Sequence, residues 1–248
     1  MNKAVQEIPL LYLSLSFIPA LLTLAILYRW AHDYRRKFYA LVRMPAQVLV
    51  LGYVLAYVFL ADNAWIVVTA LTAMVLASSW IALHTLKTSR RIVYPRAGCA
   101  IAVGSGFTLL FTTQAVLRLD PWYQPQYLIP LAGMIFSTAM NSISLAAERF
   151  ETEIENGANY KTARNVALRI SLIPITNSMS AVGLVLIPGI MTGQMLSGVS
   201  PHIAARYQIM VMCMSFASAG LSSACFLALL RSQTYSFAKS NRHRGEFS

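Results

Sequence analysis

Residues Gly183–Gly198, GLVLIPGIMTGQMLSG, set polar groups and thioethers inside an apolar run. Pro188 and Gly189 break the helical pattern at its middle, and Met191, Thr192, Gly193, Gln194 and Met195 follow directly. In lipid every backbone N–H and C=O needs a partner, so a broken segment is stable only where protein or a water-filled path encloses it. Transporters handle substrate at discontinuous segments of this kind. The same residues also fit a proline kink in an ordinary membrane helix. The thioethers of Met191 and Met195, with Met210, Met212 and Met214 further on, have the softness to ligate a soft metal, or they are adaptable packing groups. The metal reading stays open.

A second constellation lies upstream. Gly133, Ser137, Asn141 and Ser144 follow spacings that put them on one helix face. Small and hydroxyl residues let membrane helices approach closely; Asn141 is the member that fits simple packing least. Together with Asn177, these residues and the broken run supply the candidates for a translocation path or a dimer seam: Ser137, Asn141, Asn177, Pro188, Gly189, Met191, Thr192, Gly193 and Gln194. Gly104-Ser105-Gly106 and the serine- and alanine-rich stretch Ser215–Ala224 read as close helix contacts. A phosphate cradle would need a following Lys and a strand-to-helix context. The four histidines are scattered, no HExxH occurs, and no nucleophile–base pattern stands out. No catalytic residue is assigned, and the chain is not expected to be an enzyme.

The elements that must hold these residues follow from composition. Of 248 residues 57% are hydrophobic and 12% charged, with a mean hydropathy of +0.56; soluble domains carry about 25% charge. About 20 apolar residues cross a bilayer core, and seven runs qualify: 8–28, 44–60, 65–86, 98–116, 127–147, 175–196 and 209–230. The expected fold is therefore an all-α integral membrane protein of about seven transmembrane helices, one polytopic domain over 1–248. Cys99, Cys213 and Cys225 form no CxxC pair and imply no disulfide framework.

The net charge of +11 belongs to orientation rather than to nucleic acid. Seventeen of the 20 Lys and Arg fall in connections 29–43, 87–97 and 148–174 and in the tail 231–248; only Lys3, Arg118 and Arg206 fall opposite. Cytoplasmic loops carry the excess of Lys and Arg, which predicts the N-terminus outside and the C-terminus, with its basic tail 231–248, in the cytoplasm. No Asp, Glu, Lys or Arg lies inside a predicted span, which argues against proton relays and voltage sensing.

The connection at 148–174 is the most structured of the four. Glu148, Arg149, Glu151, Glu153 and Glu155 precede the turn Asn156-Gly157-Ala158-Asn159, and Val166, Ile170 and Ile173 then recur at helical spacing. It reads as an amphipathic interfacial helix or a docking surface for a cytoplasmic partner. The basic stretch HDYRRKFYALVRM in the first connection could lie on anionic headgroups or dock a partner.

Three blocks carry a family resemblance: IPLAGMIFSTAMNSISLAAERF (129–150), IPITNSMSAVGLVLIPGIMTGQMLSGVSPHIAARYQIMVM (173–212) and RMPAQVLVLGYVLAYVF (43–59). They resemble the FetB-type permeases, the membrane subunits of ABC exporters, to which plant aluminium-resistance membrane subunits are similar. Pro188, Gly189, Met191, Thr192, Gly193 and Gln194 match the family's PGMMTGQ run, with Ile190 for its usual Met. Ser200, Pro201, Tyr207, Gln208 and Ile209 match the block after it, and Gly157 and Ala158 match the turn of its coupling connection. Asn141 fits a G-N-A-M-N pattern in which Ser137-Thr138 replaces Gly-Asn. The resemblance implies a homodimer in the cytoplasmic (inner) membrane, each copy paired with a separate ATP-binding subunit that holds ATP and Mg, and no cofactor in this chain. It implies export of a small solute, with a metal ion such as iron as the default, and coupling to the ATPase through Glu148, Arg149, Glu155, Gly157, Ala158 and Arg164. One departure stands out: the connection from Arg149 to Pro174 is shorter than the family's by roughly two to four turns at 3.6 residues each. An ATP-independent transporter or channel, or a structural or regulatory membrane subunit, are the alternatives.

Overall fold

The computed structural model describes residues 9–30, 34–60, 63–84, 86 and 90–231. The outer end of the first predicted span, Lys3, Lys87 and the tail beyond Arg231 lie outside the described residues. The chain divides into two compact units, Met1–Asp62 and Asn63–Ser248.

In the first unit, α1 (Leu10–Leu15) and α2 (Phe17–Trp30) replace one predicted span, and α3 covers Tyr34–Leu60. The step at Ser16 has a local cause. Pro19 has no N–H to give the Leu15 carbonyl, and Ser16 instead turns its hydroxyl and its N–H to Leu13 O. The predicted span at 44–60 is the C-terminal part of a 27-residue helix that runs unbroken through Pro45. The basic stretch 34–43 is thus continuous with the span and is no separate surface helix.

In the second unit, α4 (Ala64–Ala82), α5 (Arg90–Phe111, extended by a π turn at Thr112–Val116), α6 (Pro125–Glu155) and α10 (Pro201–Leu229) form the long helices. The short α7 (Tyr160–Ser171), α8 (Ile173–Ala181) and α9 (Gly189–Leu196) lie between α6 and α10. Among the described residues six helices are long and apolar enough to cross a membrane: one at Tyr12–Trp30, one at Tyr34–Leu60 and four in the second unit. The remaining predicted span, 175–196, is the broken one. It resolves into α8 and α9 around a loop, so the six membrane-capable helices come close to the predicted seven. The described residues form no named strand, only an isolated bridge between Val182 and Leu186.

The core of this unit lies where α5, α6 and α10 meet. Ile101, Ile135, Ile143, Phe150, Phe226 and Leu227 are fully buried there. Close approach depends on one glycine. A Cβ on Gly104 would lie 2.6 Å from the Ser222 backbone N, whereas one on Gly106 would meet nothing within 4 Å. Beside Gly104, Ser105 Oγ lies 2.8 Å from Ser218 Oγ and 3.0 Å from Ser222 Oγ, and Ser218 donates to the Ile135 carbonyl at 3.0 Å. Each hydroxyl has one proton. Ser218 gives its proton to Ile135 O, so Ser105 must donate to Ser218 and Ser222 to Ser105. The chain therefore runs one way, Ser222 to Ser105 to Ser218 to Ile135, and joins three helices. Ser218→Ala removes its middle, and interhelical hydrogen bonds in membranes contribute about 0.6 kcal/mol on average. We expect a loss of about 1 kcal/mol in detergent unfolding, with Ser218→Thr recovering part of it.

Candidate functional site

Two features of the second unit carry the candidate residues: the elbow between α6 and α7, and the broken segment α8–α9 against α10.

The elbow begins where α6 outruns the membrane. Its 31 residues span about 46 Å at 1.5 Å per residue, against a hydrocarbon core of about 30 Å. It ends in a glycine cap. Gly157, at φ +85°, donates to Ile154 O and Ala158 donates to Glu153 O, both at 3.0 Å, which is the Schellman pattern of crossed bonds over a left-handed residue. The side chain of Asn159 then accepts from Thr162 N at 2.9 Å and starts α7. Asn156-Gly157-Ala158-Asn159 thus stops one helix and starts the next within four residues.

The returning α7 packs against α6. Its inward face is Ala163, Ala167 and Ser171, all fully buried, while Val166 and Ile170 are half-buried and Ile173 is exposed. The expected amphipathic helix is present. Its closest contacts run through small residues rather than through Val166, Ile170 and Ile173, because a backbone this near to α6 leaves room for little more than a methyl group. Tyr160 ties the elbow to α10: its hydroxyl donates to Leu227 O at 2.9 Å, and its ring meets Phe150 edge-on at 6.0 Å. Arg164 lies over the same ring at 5.8 Å. Of the other coupling candidates, Arg149 pairs with Glu153 one turn on, and Glu148 and Glu155 are exposed. Tyr160 carried no signal in the sequence, since its partners lie far along the chain.

The broken segment pairs part of its backbone locally. The N–H groups of Leu184, Val185 and Leu186 all turn to Ala181 O, and Gly183, at φ +81°, donates to Leu186 O. Pro188 O accepts from both the N–H and the hydroxyl of Thr192, which opens α9. A second Schellman cap closes it at Gly198, φ +92°, where Gly198 donates to Met195 O and Val199 to Gln194 O. A proline kink would keep one helix axis; here α8 ends at Ala181 and α9 starts afresh at Gly189, behind a Pro188 N-cap that offers no side-chain bond. Leu184 and Val185, at the tip of the loop, are 86% and 89% exposed.

A cavity of about 660 Å³ lies between this segment and α10, lined by Met179, Pro188, Met191, Met195, Gln208 and Met212 among others. Of the predicted path residues, Pro188 and Met191 line it. Ser137, Asn141 and Asn177 do not; all three are exposed, and Ser137 bonds only to Met134 O of its own helix. Gly189 and Gly193 have open space where a Cβ would be. The oxygen of Gln194 is buried without a partner among the described residues, and so is that of Gln208. Gln208 is 3% exposed. In the sequence it stood out only as part of the Tyr207-Gln208-Ile209 match. No group of three or more His, Cys, Asp or Glu among the described residues is placed to hold a metal ion.

The comparisons agree with this architecture. The model of a family described as Uncharacterised protein family (UPF0014) matches residues 10–235. A UPF0014 membrane protein of a Synechocystis strain is 33% identical over 208 residues, 78% of this chain and 80% of the relative. The "Probable iron export permease protein FetB" of Escherichia coli K12 is 32% identical over 223 residues, 82% of this chain and 81% of its own. "Protein ALUMINUM SENSITIVE 3" of Arabidopsis thaliana is 32% identical over 200 residues, 75% and 72%. No solved structure gives a significant match. The apolar helices, the break at Pro188-Gly189 and a family match over most of the chain lead to one conclusion: this is a multi-pass membrane protein belonging to the UPF0014 family.

Proposed function

We propose that the chain is the membrane-spanning permease subunit of an ABC exporter, acting as a homodimer in the cytoplasmic membrane with a separate ATP-binding subunit on each copy. The solute is small. Iron is the metal ion suggested by the name of the Escherichia coli relative. The observation that carries this reading is the elbow. A helix that outruns the bilayer, reverses over a capped glycine and returns as a helix bonded to α10 makes a rigid lever on the membrane core. Force applied at Glu148–Arg164 reaches α10 through Tyr160 and Leu227. No GxxxxGK[ST] phosphate loop occurs in the chain, so the ATPase must be another polypeptide.

The proposed orientation, N-terminus outside and C-terminus in the cytoplasm, is supported by charge once α8 and α9 are counted as one crossing. As two half-helices of nine and eight residues, α8 and α9 extend about 13 and 12 Å. With the loop between them they suffice for one crossing. Both contact α10, and the residues of α10 that face them across the cavity are Ala205, Gln208, Ile209, Met212 and Cys213. Counted so, there are seven crossings, and seventeen of the basic residues fall on the cytoplasmic side.

The test is whether a neighbouring gene encodes a small ATPase and whether its product co-purifies with this chain, expected as a 2:2 complex. Gly157→Arg adds a bulky side chain at a left-handed position, a strain of about 1–2 kcal/mol, and should lower ATPase stimulation severalfold. Recovery of a monomer alone, with turnover unchanged by Gly157→Arg, would leave the ATP-independent or regulatory reading.

A further inference from the structure

We propose that the cavity between α8, α9 and α10 binds an uncharged, largely apolar organic molecule with one hydrogen-bond donor, which the carboxamide of Gln208 receives. The volume comes first. About 660 Å³ lies within the range of small-molecule sites, about 300–1,000 Å³, and is some twenty times the space of one water, about 30 Å³. The walls come second. Met179, Met191, Met195 and Met212 line it, and unbranched thioethers adjust to irregular apolar shapes.

Gln208 is the third observation. It lines the cavity and is 3% exposed, yet its oxygen has no hydrogen-bond partner among the described residues. A buried acceptor left unmet is unfavourable, and a ligand donor supplies what the protein does not. The last side-chain torsion of Gln is soft, so a turn of the amide brings that oxygen to the cavity.

The same wall argues against a bare cation. No Asp, Glu, Lys, Arg or His lines the cavity, and an ion without a counter-charge at membrane depth is strongly disfavoured. Iron draws on imidazole and carboxylate ligands, which this wall lacks. Thioethers and the Cys213 thiol, which also lines the cavity, do suit Cu(I), and the Ag(I) titration below is the test of that reading. An organic solute uses both the volume and the single polar point. That this molecule is what the protein exports rests on the exporter reading above; that it binds does not.

The experiment uses the full chain in lipid nanodiscs and N-phenyl-1-naphthylamine, an uncharged apolar fluorophore with one N–H. Wild type is expected to show saturable fluorescence above protein-free discs. Ala205→Phe, which fills the cavity, should weaken binding at least about tenfold. Gln208→Leu should weaken it about fivefold while leaving the N-methylated probe unaffected. Met212→Phe serves in place of Ala205→Phe if that variant does not fold. No saturable signal above empty discs, or equal affinity in a folded cavity-filling variant, would overturn the proposal. So would stoichiometric Ag(I) binding that Met191→Leu abolishes, in the absence of probe binding. Because no ATPase takes part in this experiment, it tests the site alone; failure to co-purify an ATP-binding subunit would remove the exporter reading and leave this site.

Discussion

Gly104→Ala lowers the midpoint of thermal unfolding by about 5–15 °C, while Gly106→Ala, two residues on, leaves it unchanged. The two glycines share one helix and one sequence context, so propensity cannot separate them. Tertiary contact does. At Gly104 the added methyl meets Ser222 N and Oγ at 2.6 Å and Ser222 Cα at 2.8 Å. Most of that is backbone, which cannot swing aside as a side chain can. Helices α5 and α10 must move apart, at about 1–3 kcal/mol for overpacking. Their separation also stretches the hydroxyl chain from Ser222 through Ser105 to Ser218. At Gly106 there is open space, and alanine is the better helix former. Fluorescence-detected size exclusion after heating measures both. Equal midpoints for the two variants would show that α5 and α10 are not in contact here.

The second large effect is expected at Ala167→Leu. Ala167 is fully buried where α7 meets α6, and leucine adds three carbons to a closed seam. A helix of twelve residues is marginal on its own in water and depends on packing, so α7 yields before α6 does. Hydrogen exchange over 160–171 should quicken by an order of magnitude or more, the equivalent of about 1–3 kcal/mol, while α6 and α10 keep their protection. Under the proposed mechanism, ATPase stimulation falls about tenfold with it. Arg169→Gln, on the exposed face of the same helix, is the control and should change neither. Undocking of α7 with full ATPase stimulation would dissociate the elbow from coupling.

Much of the architecture was legible because it is local. Apolar length located the membrane helices, and the boundaries moved where a cap or a neighbouring charge did not stop the helix: α3 begins ten residues before the predicted span, at Tyr34, and α6 runs on through the acidic stretch to Glu155. Asn156-Gly157-Ala158-Asn159 announced a turn, since a left-handed glycine and a capping asparagine act on their own neighbours. Pro188-Gly189 announced a break for the same reason. The predicted face had the right period, yet Ser137 and Asn141 on it are exposed, because helical spacing says which residues share a face and not what the face meets.

What the sequence determined by itself, then, is the membrane class, the approximate spans, the turn at Gly157 and the discontinuity at Pro188. Each follows from hydropathy or from the backbone preference of a few adjacent residues. Only the tertiary structure decided that Gly104 and not Gly106 carries the contact, that Ser105 joins Ser218 and Ser222, that Tyr160 reaches Leu227, and that Gln208 stands with four methionines around a cavity. The physical reason is the solvent. In a soluble protein the polar face of a helix reveals its buried one. In α10 nearly every face is apolar or small, because lipid and protein neighbours ask for much the same side chains. Periodicity then carries little information about partners, and the pairing of helices rests on shape and on single hydrogen bonds between residues far apart in the chain.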